Sequence, residues 1–368
     1  MDRIKVLVLC GGRSGEHEIS LISARSVISA IRRDIYDVAV IGIDKNGRWL
    51  LLDERDFVIN PDDPVNVRLN TNGVEVLFSP VPPHFRTRDS HIDVDVIFPV
   101  LHGTYGEDGT LQGMLEMLGV PYVGANHLAS AIGMDKEVSK RLFREAGLDV
   151  VKYIALHFER DASCLNHVCD RVEREIGFPC FVKPANLGSS VGTNKVHNRD
   201  ELTPALLDAW QYDLKILVEE AINAREIECS LLGNSSVLAS CLGEIVPRHE
   251  FYSYEAKYLD PNGAELIIGV DVEEGLARRI QDAAKRAFEA IGCEGMARAD
   301  FLVDKEKGIP YINEVNTIPG FTKISMYPKL LEKSGIPYHE LIDRLIKLAL
   351  ERHELKRRLK TDFKRASR

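Results

Sequence analysis

The N-terminal segment carries the pattern that most restricts the fold of this chain. Residues 4–9 form an apolar run, broken only by Lys5, that ends at Gly11 and Gly12. Residues 20–31 then carry apolar side chains at helical spacing, and Ser20 is a suitable helix N-cap. A buried strand, a glycine turn and a helix in this order are typical of an open α/β sheet.

Two later apolar runs, 38–43 and 94–100, have the length of buried strands. We therefore predict that residues 1–125 form an α/β domain around an open parallel sheet. The stretch 44–90, rich in Pro, Asn and Asp, is expected to insert a hairpin and loops. A chain of 368 residues has room for two or three domains, so clefts between domains are expected.

The remaining sequence mixes helices with strands and contains no internal repeat. The predicted elements are helices at 134–146 and 273–291 and strands at 178–183, 192–196 and 215–219. They divide between a central domain, 126–218, and a C-terminal domain, 219–368.

The most informative segment is a predicted hairpin, in which MARADFLVD and PYINEV are joined by the turn KEKG. A hairpin symmetric about Lys307 places Asp300 opposite Glu314. The same register places Arg298 opposite Asn316 on the same face. Opposed carboxylates repel each other unless a cation lies between them, and the added amide oxygen suits Mg²⁺ that also binds phosphate oxygens. The alternative is a solvated hairpin face without a ligand.

Three lysines stand in distinctive local sequences: Lys136 in GMDK, Lys183 in FVKPANLGSSVG and Lys257 in EAKY. Lys183 follows a strand-like run and precedes a loop whose small residues let backbone N–H groups approach an anion. The loop residues are Gly188, Ser189, Ser190 and Gly192. A nucleotide polyphosphate fits both this loop and the metal site, although the loop lacks the pattern of a P-loop.

Two other enzyme classes share parts of these motifs. The segment GSSVG matches the G-x-S-x-G elbow of serine hydrolases, which needs a strand, a sharp turn and a helix. The following TNKV predicts a strand instead, which disfavours a hydrolase. The N-terminal GGRSGEHEIS lacks G-x-G-x-x-G, and no acidic residue ends a second strand in a position suited to NAD, which disfavours a dehydrogenase.

Two residues near the predicted strand ends have both structural and functional interpretations. Glu16 can interact with the dipole of the following helix or bind a substrate ammonium group. His102, in LHGTYGEDGTLQG, follows the strand 94–100 at the end of an open sheet, where ligands usually bind. A structural histidine is the alternative, but the surrounding glycines bring the backbone close to whatever binds there.

Charge and cysteine content restrict the partners. Lys and Arg total 47 and Asp and Glu total 56, and the formal net charge of −9 disfavours nucleic acid. Neither a signal-peptide pattern nor an apolar stretch of membrane-spanning length is visible. The seven scattered cysteines contain no C-x-x-C pair and fit reduced thiols. We expect a cytoplasmic protein that acts on small molecules, with no nucleic-acid or membrane partner.

Taken together, the motifs resemble the D-alanine-D-alanine ligase family of ATP-grasp enzymes over nearly the whole chain. The matching segments, in the order of the family, are GGRSGEHEISL, LHGTYGEDGTLQGMLEMLGVPYVG, MDK, VKPANLGSSVG, LVEEAI, FYSYEAKY, MARADF and INEVNTIPGFT. The resemblance implies a three-domain ATP-grasp fold of α/β and α+β units, with ATP between the central and C-terminal domains. It also implies a homodimer.

The resemblance further implies roles for individual residues. The implied ATP contacts are Lys136, Lys183, Lys257, the hinge residues Glu219, Glu220, Ala221 and Ile222, and Glu226 at the ribose. The implied ligands of two Mg²⁺ or Mn²⁺ ions are Asp300, Glu314 and Asn316. The implied contacts of the first D-alanine are His102 and Glu16, the latter linked to Ser189 and Tyr258. The implied oxyanion stabilisers are Arg298 and the N–H of Gly320, with Ser325 and Met326 near the second D-alanine.

The implied reaction joins two D-alanine molecules for peptidoglycan precursor synthesis. The carboxylate of the first attacks the γ-phosphate to form an acyl phosphate, and the amine of the second then attacks its carbonyl. The aromatic loop 251–259 is the expected lid that excludes water. D-Lactate and D-serine are the alternative acceptors, and Tyr258 favours D-alanine. A non-catalytic nucleotide-binding module is disfavoured because the metal and acyl-transfer residues are all present.

Overall fold

The structure, a computed structural model, describes residues 3–63, 66–248 and 263–360. Its helices are α1 (His17–Ala30), α2 (Thr110–Leu118), α3 (His127–Met134), α4 (Lys136–Glu145), α5 (Phe158–Asp161), α6 (Leu165–Glu175), α7 (Arg199–Ala209), α8 (Glu274–Ala290), α9 (Met326–Lys333) and α10 (Tyr338–Arg357). Within these ranges, no helix combines the length and the apolar character that a membrane span requires.

The strands form three main sheets and two small ones. They are β1 (Ile4–Gly11), β2 (Tyr36–Ile43), β3 (Trp49–Leu52), β4 (Val58–Ile59), β5 (Arg68–Leu69), β6 (Val74–Glu75), β7 (Leu77–Phe78), β8 (Phe85–Arg86), β9 (His91–Ile92), β10 (Val96–Val100), β11 (Tyr153–His157), β12 (Cys180–Pro184), β13 (Asn194–Val196), β14 (Lys215–Glu220), β15 (Ala224–Gly233), β16 (Leu238–Pro247), β17 (Ala264–Ile268), β18 (Gly295–Asp304) and β19 (Pro310–Asn316).

The first sheet has the strand order β10-β1-β2-β3-β6. β1 pairs in parallel with β10 and with β2, as predicted. The pairs β2-β3 and β3-β6 are antiparallel, so two antiparallel edge strands extend the predicted parallel part of the sheet. The polar insertion 44–90 supplies these two edge strands.

The first helix begins three residues before the predicted start. Glu16 occupies the N-cap position of α1 and makes no side-chain capping hydrogen bond. Ser20 lies inside the first turns, where its Oγ accepts the Gly11 N–H at 2.8 Å and donates to the carbonyl of Val100. The prediction that Ser20 caps the helix is therefore wrong, because its hydroxyl instead ties the helix to the ends of β1 and β10.

The central sheet, ordered β11-β14-β12-β13, is antiparallel throughout. α6 and α7 cover one face, and side chains such as Val172, Leu206 and Val218 form a core that belongs to this unit alone. The predicted helix 134–146 is divided at Asp135, whose side chain accepts the N–H groups of Glu137 and Val138 and so caps α4.

The third sheet has the order β17-β16-β15-β18-β19, also antiparallel. The β18-β19 register pairs Asp300 with Glu314 and confirms the predicted hairpin at its polar end. A bulge follows Asp300, so Phe301 pairs with Ile312 and the symmetry about Lys307 does not continue to the turn.

Buried helices join the first and third sheets. α10 packs into the core of the first sheet, where Leu345 and other apolar residues of the helix lie with Val6 of β1. The hydroxyl of Tyr36 donates to Asp343 Oδ1 of α10 at 2.5 Å, and both groups are buried. In the third unit, Phe143 of α4 shares a core with β18 and β19. These contacts fix the positions of the loops that meet at the site.

Candidate active site

The glycine-serine loop connects the central unit to the start of α1. It joins β12 to β13 in an antiparallel hairpin, so the strand is followed by another strand and GSSVG is not a nucleophile elbow. Ser189 and Ser190 have φ angles of 54° and 58°, in the left-handed region that non-glycine residues rarely adopt. The Ser189 Oγ donates to Oε1 of Glu16. The structure therefore brings these two predicted residues into direct contact.

His102 is buried at the end of β10 and connects the first unit to the loop after β19. Its Nδ1 lies 3.0 Å from the carbonyl oxygen of Ile318, and its Nε2 lies 3.1 Å from the hydroxyl of Ser23. A carbonyl can only accept, so Nδ1 carries the proton and Nε2 accepts from the serine. Burial lowers the pKa of His102, although the carboxylate of Glu16 opposes this shift. Both ring nitrogens are thus used in contacts within the protein.

Glu107 is a residue of the site to which the sequence analysis gave no role. It lies in the loop after β10, where its Oε1 accepts the N–H of Gly103 at 2.8 Å. Burial raises its pKa to about 8, and the neighbouring Glu16 adds to the shift. A carboxyl group with a strongly raised pKa is a common feature of functional clefts. The motif LHGTYGEDGTLQG contained the signal, but only the fold brings Glu107 near Glu16.

Lys136, the first residue of α4, contacts two parts of the cleft. Its Nζ donates to the carbonyl oxygen of Leu187 in the glycine-serine loop at 2.6 Å. The same nitrogen lies 3.6 Å from Oε2 of Glu314 on β19. A single cation therefore joins the loop of the central unit to the carboxylate pair of the third sheet.

The partly buried Lys183 on β12 forms an ion pair with the buried Glu219 on β14. Lys183 Nζ lies 2.6 Å from Oε2 of Glu219, and Lys140 Nζ lies 3.2 Å from Oε1 of the same carboxylate. Burial would raise the pKa of Glu219, but the two lysines outweigh it and lower the pKa, so the group is charged at neutral pH. Lys140 was missed in the sequence, although it lies one helical turn after Lys136.

The other predicted hinge residues follow directly along the chain. Glu220 Oε1 accepts the N–H of Lys152 at 2.7 Å, and the N–H of Ala221 donates to the carbonyl of Pro179 at 3.2 Å. Ile222 is the next residue and is partly buried. Glu226 lies in β15, opposite Leu302 of β18. These residues line the junction between the central unit and the third sheet.

Arg298 is held between carboxylates on the polar face of the third sheet. Its Nε and Nη2 donate to the two oxygens of Asp300, both at 2.7 Å, and its Nε lies 3.1 Å from Oε2 of the buried Glu228. Asp300 and Glu228 raise the pKa of Arg298 well above its usual value despite burial, so the guanidinium is always charged. Asn316 Nδ2 also donates to Asp300, at 2.9 Å. Glu228 was not singled out in the sequence.

The donor set on this face fits a hard divalent cation. Asp300 and Glu314 are opposed across β18 and β19, and Asn316 adds an amide oxygen on the same face. Among the described residues no group of three or more His, Cys, Asp and Glu side chains is arranged as a metal site. A Mg²⁺ ion held here would complete its coordination with water and phosphate oxygens, as this ion usually does.

The loop after β19 brings Gly320 to the start of α9. A Cβ on Gly320 would lie 3.0 Å from the hydroxyl of Ser325, which shows how closely the two approach. Ser325 is the N-cap residue of α9 and forms a 2.7 Å hydrogen bond with the Thr322 hydroxyl. Met326 begins the helix, and its buried side chain packs against Gly243 of β16. The side chain of Met326 is therefore packed away from the helix end, and only its backbone could contact an anion there.

Lys257 and Tyr258, with the expected lid 251–259, lie outside the described residues. Five of the other predicted residues are brought together from all three sheets. Glu16 contacts Ser189 of the central loop, Lys136 joins that loop to Glu314, and the register joins Glu314 to Asp300. The arrangement combines cations for phosphate groups, carboxylates for a metal ion or an ammonium group, and an arginine for a developing oxyanion.

Comparison with known proteins agrees with this geometry. The sequence models of the D-ala D-ala ligase N-terminus and C-terminus match residues 5–125 and 142–347. A D-alanine-D-alanine ligase of Oceanobacillus iheyensis is 50% identical, over 97% of this chain and 98% of its own. The D-alanine-D-alanine ligase A of Escherichia coli O6:H1 is 44% identical, over 98% of this chain and 100% of its own.

Solved structures give the same result. The D-alanine-D-alanine ligase from Coxiella burnetii has a TM-score of 0.82 at 37% identity and covers 97% of each chain. The VanG D-Ala:D-Ser ligase from Enterococcus faecalis has a TM-score of 0.84 at 33% identity, over 95% of this chain and 100% of its own. The fold, the site and both halves of the sequence agree, and the chain belongs to the D-ala D-ala ligase family.

Proposed function

We propose that the chain is an ADP-forming ligase that joins two D-alanine molecules into D-alanyl-D-alanine for peptidoglycan and cell-wall synthesis. Relatives of this name at up to 50% identity over nearly the full length support the proposal. The observation that carries it is the register that opposes Asp300 to Glu314 beside Arg298. Phosphoryl transfer and acyl transfer need a metal site and an oxyanion stabiliser in one cleft.

ATP binds between the central unit and the third sheet. Lys136, Lys183 and Lys257 contact the phosphates, while Glu219, Glu220, Ala221 and Ile222 form the adenine hinge and Glu226 contacts the ribose. Asp300, Glu314 and Asn316 would hold two Mg²⁺ or Mn²⁺ ions, which would supply positive charge to the transferring phosphoryl group. Two contacts support this orientation of ATP: the ion pair of Lys183 with Glu219, and the position of Lys136 beside Glu314.

The first D-alanine lies between the N-terminal unit and the glycine-serine loop. Glu16 binds its ammonium group, and Ser189 and Tyr258 hold the carboxylate of Glu16 in place, with His102 supporting the loop beside it. One carboxylate oxygen of D-alanine attacks the γ-phosphorus, and the bond to the β-γ bridging oxygen breaks to release ADP. The product is D-alanyl phosphate.

The second D-alanine approaches with its carboxylate at Ser325 and the N-terminus of α9. Its neutral amine attacks the acyl carbon, and Arg298 with the N–H of Gly320 stabilises the oxyanion. The carbon-oxygen bond to phosphate then breaks, the amine loses its proton, and dipeptide and phosphate are formed. The lid 251–259 keeps water from the acyl phosphate.

D-Serine is the second candidate acceptor, because the D-Ala:D-Ser ligase has a TM-score of 0.84 with this chain. D-Lactate is a third. We propose that Tyr258, which lies outside the described residues, favours D-alanine by linking to Ser189 and Glu16 through a hydrogen bond. Tyr258→Phe would remove such a bond but keep the ring, so the ratio of depsipeptide to dipeptide should rise, most at low pH. Product analysis with both acceptors between pH 6 and 9 tests this, and an unchanged ratio would show that Tyr258 does not set acceptor choice.

The division into domains 1–125, 126–218 and 219–368, the homodimer and the cytoplasmic location remain parts of the proposal. All seven cysteines are free thiols, which supports a reducing compartment. D-Alanine-dependent release of ADP tests the function itself. ADP release without D-alanine would indicate ATP hydrolysis instead of ligation, and no ADP release at all would argue for a passive nucleotide-binding protein. Light scattering on the purified chain tests the dimer.

A further inference from the structure

Lys140 is a buried charge that the reaction scheme does not use. It lies on α4, and its exposed fraction is 0%. Lysine is almost never fully buried unless its charge is paired, because desolvation of an ammonium group is costly. The nearest charges face it from three other elements: Lys183 on β12, Glu219 on β14 and Glu314 on β19.

The carboxylate of Glu219 lies between two ammonium groups, one at each oxygen. Lys183 is 2.6 Å from Oε2 in a hydrogen-bonded ion pair, and Lys140 is 3.2 Å from Oε1. Neither Lys140 Nζ nor Glu219 Oε1 has an aligned hydrogen-bond partner among the residues that the structure describes. Oε1 is thus held by the charge of Lys140 and has a lone pair that no described residue uses in an aligned hydrogen bond.

The two lysines differ in what they can reach. The side chain of Lys183 is 14% exposed, so it can turn from Glu219 toward a ligand phosphate, whereas Lys140 has no exposed surface. When Lys183 turns away, Glu219 needs another counter-charge, because an isolated buried carboxylate would take up a proton. A protonated carboxyl would offer a donor as well as an acceptor and would no longer select for an amino group.

We propose that Lys140 is a positioning residue for the nucleotide base, which keeps Glu219 charged and directed at the adenine amino group while Lys183 binds phosphate. The proposal rests on the assignment of Glu219 and Lys183 to the ATP site. Burial lowers the pKa of Lys140 to about 8, and Glu219 opposes the shift, so the lysine is mainly charged at neutral pH. Its charge serves the carboxylate and does not contact ATP.

The test compares two nucleotides that differ only in the amino group. The dissociation constants of ATP and of purine riboside triphosphate, which lacks that group, are measured calorimetrically with Mg²⁺. A hydrogen bond to a charged acceptor predicts about 10- to 150-fold tighter binding of ATP to the wild-type enzyme. In Lys140→Met this preference should fall to about threefold or less, with the analogue bound nearly as before.

Matched variants separate the specific role from general damage. Glu219→Gln should lose the same preference, and the double variant should lose no more, because residues that act together are not additive. Lys215→Met removes a lysine that pairs with Asp135 beside the same helix, at 2.5 Å, and should keep the preference. If Lys140→Met does not fold, the preference of the wild-type enzyme for ATP over purine riboside triphosphate is measured from pH 7 to 9 instead. This preference should decline as Lys140 loses its proton.

The outcomes are distinct. Equal weakening of both nucleotides in Lys140→Met, or a wild-type preference that is constant with pH, would overturn the proposal and leave Lys140 a structural residue. A preference that survives Glu219→Gln would overturn the assignment of Glu219 to the base as well. Neither result would bear on ligation, which D-alanine-dependent ADP release measures separately.

Discussion

Replacement of Glu16 by Gln isolates the charge that we assign to substrate binding. The amide oxygen of Gln can still accept the Ser189 hydrogen bond, so the link between α1 and the central loop is kept. The loops enclose this carboxylate closely: a Cβ on Gly103 would lie 2.7 Å from Oε2 of Glu16, and one on Gly188 would lie 3.4 Å away. An ammonium group bound here is therefore partly shielded from water.

The magnitude follows from that enclosure. A hydrogen bond that involves a charged group contributes about 1.5–3 kcal/mol, compared with about 0.5–1.5 kcal/mol for a neutral one. Glu16→Gln leaves the ammonium group with a neutral partner, so the expected loss is the difference between the two contributions, about 1–1.5 kcal/mol. We expect the KM of the first D-alanine to rise about 5- to 13-fold, and the KM of ATP to change less than about twofold.

Steady-state ADP release over a wide range of D-alanine concentrations separates the two amino-acid subsites and gives the KM of ATP. Glu18→Gln is the matched control, because Glu18 lies in the same first turn but pairs with Lys45 at the surface, at 2.6 Å. Equal weakening of ATP and D-alanine in Glu16→Gln would mean that Glu16 acts through the fold and not on the substrate.

Three further predictions follow from contacts in the structure. Asp300→Asn keeps an acceptor for Arg298 but halves the negative charge of the Asp300-Glu314 pair. We therefore expect kcat to fall at least about 100-fold at saturating Mg²⁺-ATP, with unchanged thermal unfolding. Turnover within tenfold of wild type would contradict the metal assignment. The pKa of Glu107 is about 8 in the folded protein, compared with 4.5 in the unfolded chain, so between these pH values the folded protein retains a proton that the unfolded chain loses. The free energy of unfolding is therefore highest below pH 4.5 with respect to this group, and it decreases as the pH rises to 8. The melting temperature of Glu107→Gln should fall less than that of the wild type between pH 4.5 and 8. Parallel plots of melting temperature against pH would contradict the raised pKa of Glu107. Tyr36→Phe removes the buried hydrogen bond to Asp343 and should lower the free energy of unfolding by about 1–3 kcal/mol, without changing the KM of ATP or of D-alanine. An unchanged denaturation midpoint would show that this hydrogen bond does not stabilise the position of α10.

The hairpin register could be predicted because side chains alternate with period two and the turn is short, which leaves few ways to pair the strands. The bulge after Asp300 could not, because the extra residue is accommodated by packing on both faces of the sheet. The start of α1 was misplaced for a similar reason. Ser20 has the chemistry of a cap, but its hydroxyl contacts two strands that are distant in sequence.

The residues that the sequence did not reveal owe their properties to burial. Glu107, Lys140 and Glu228 look like ordinary surface charges in the sequence, and only the fold surrounds them with other charged groups. For Lys140 the local signal was its helical spacing from Lys136, since residues four apart lie on one face. Met326 shows the opposite case, because its side chain packs on β16 and only its backbone faces the site.

The transfer of oxygen from D-alanine to phosphate tests the proposed chemistry most directly. In our scheme a carboxylate oxygen of the first D-alanine bonds to the γ-phosphorus, and the carbon-oxygen bond of the acyl phosphate breaks in the second step. D-Alanine labelled with ¹⁸O in its carboxylate should therefore yield one labelled oxygen in each inorganic phosphate, together with one ADP and one D-alanyl-D-alanine. Unlabelled phosphate, or label recovered in AMP, would contradict ligation through D-alanyl phosphate.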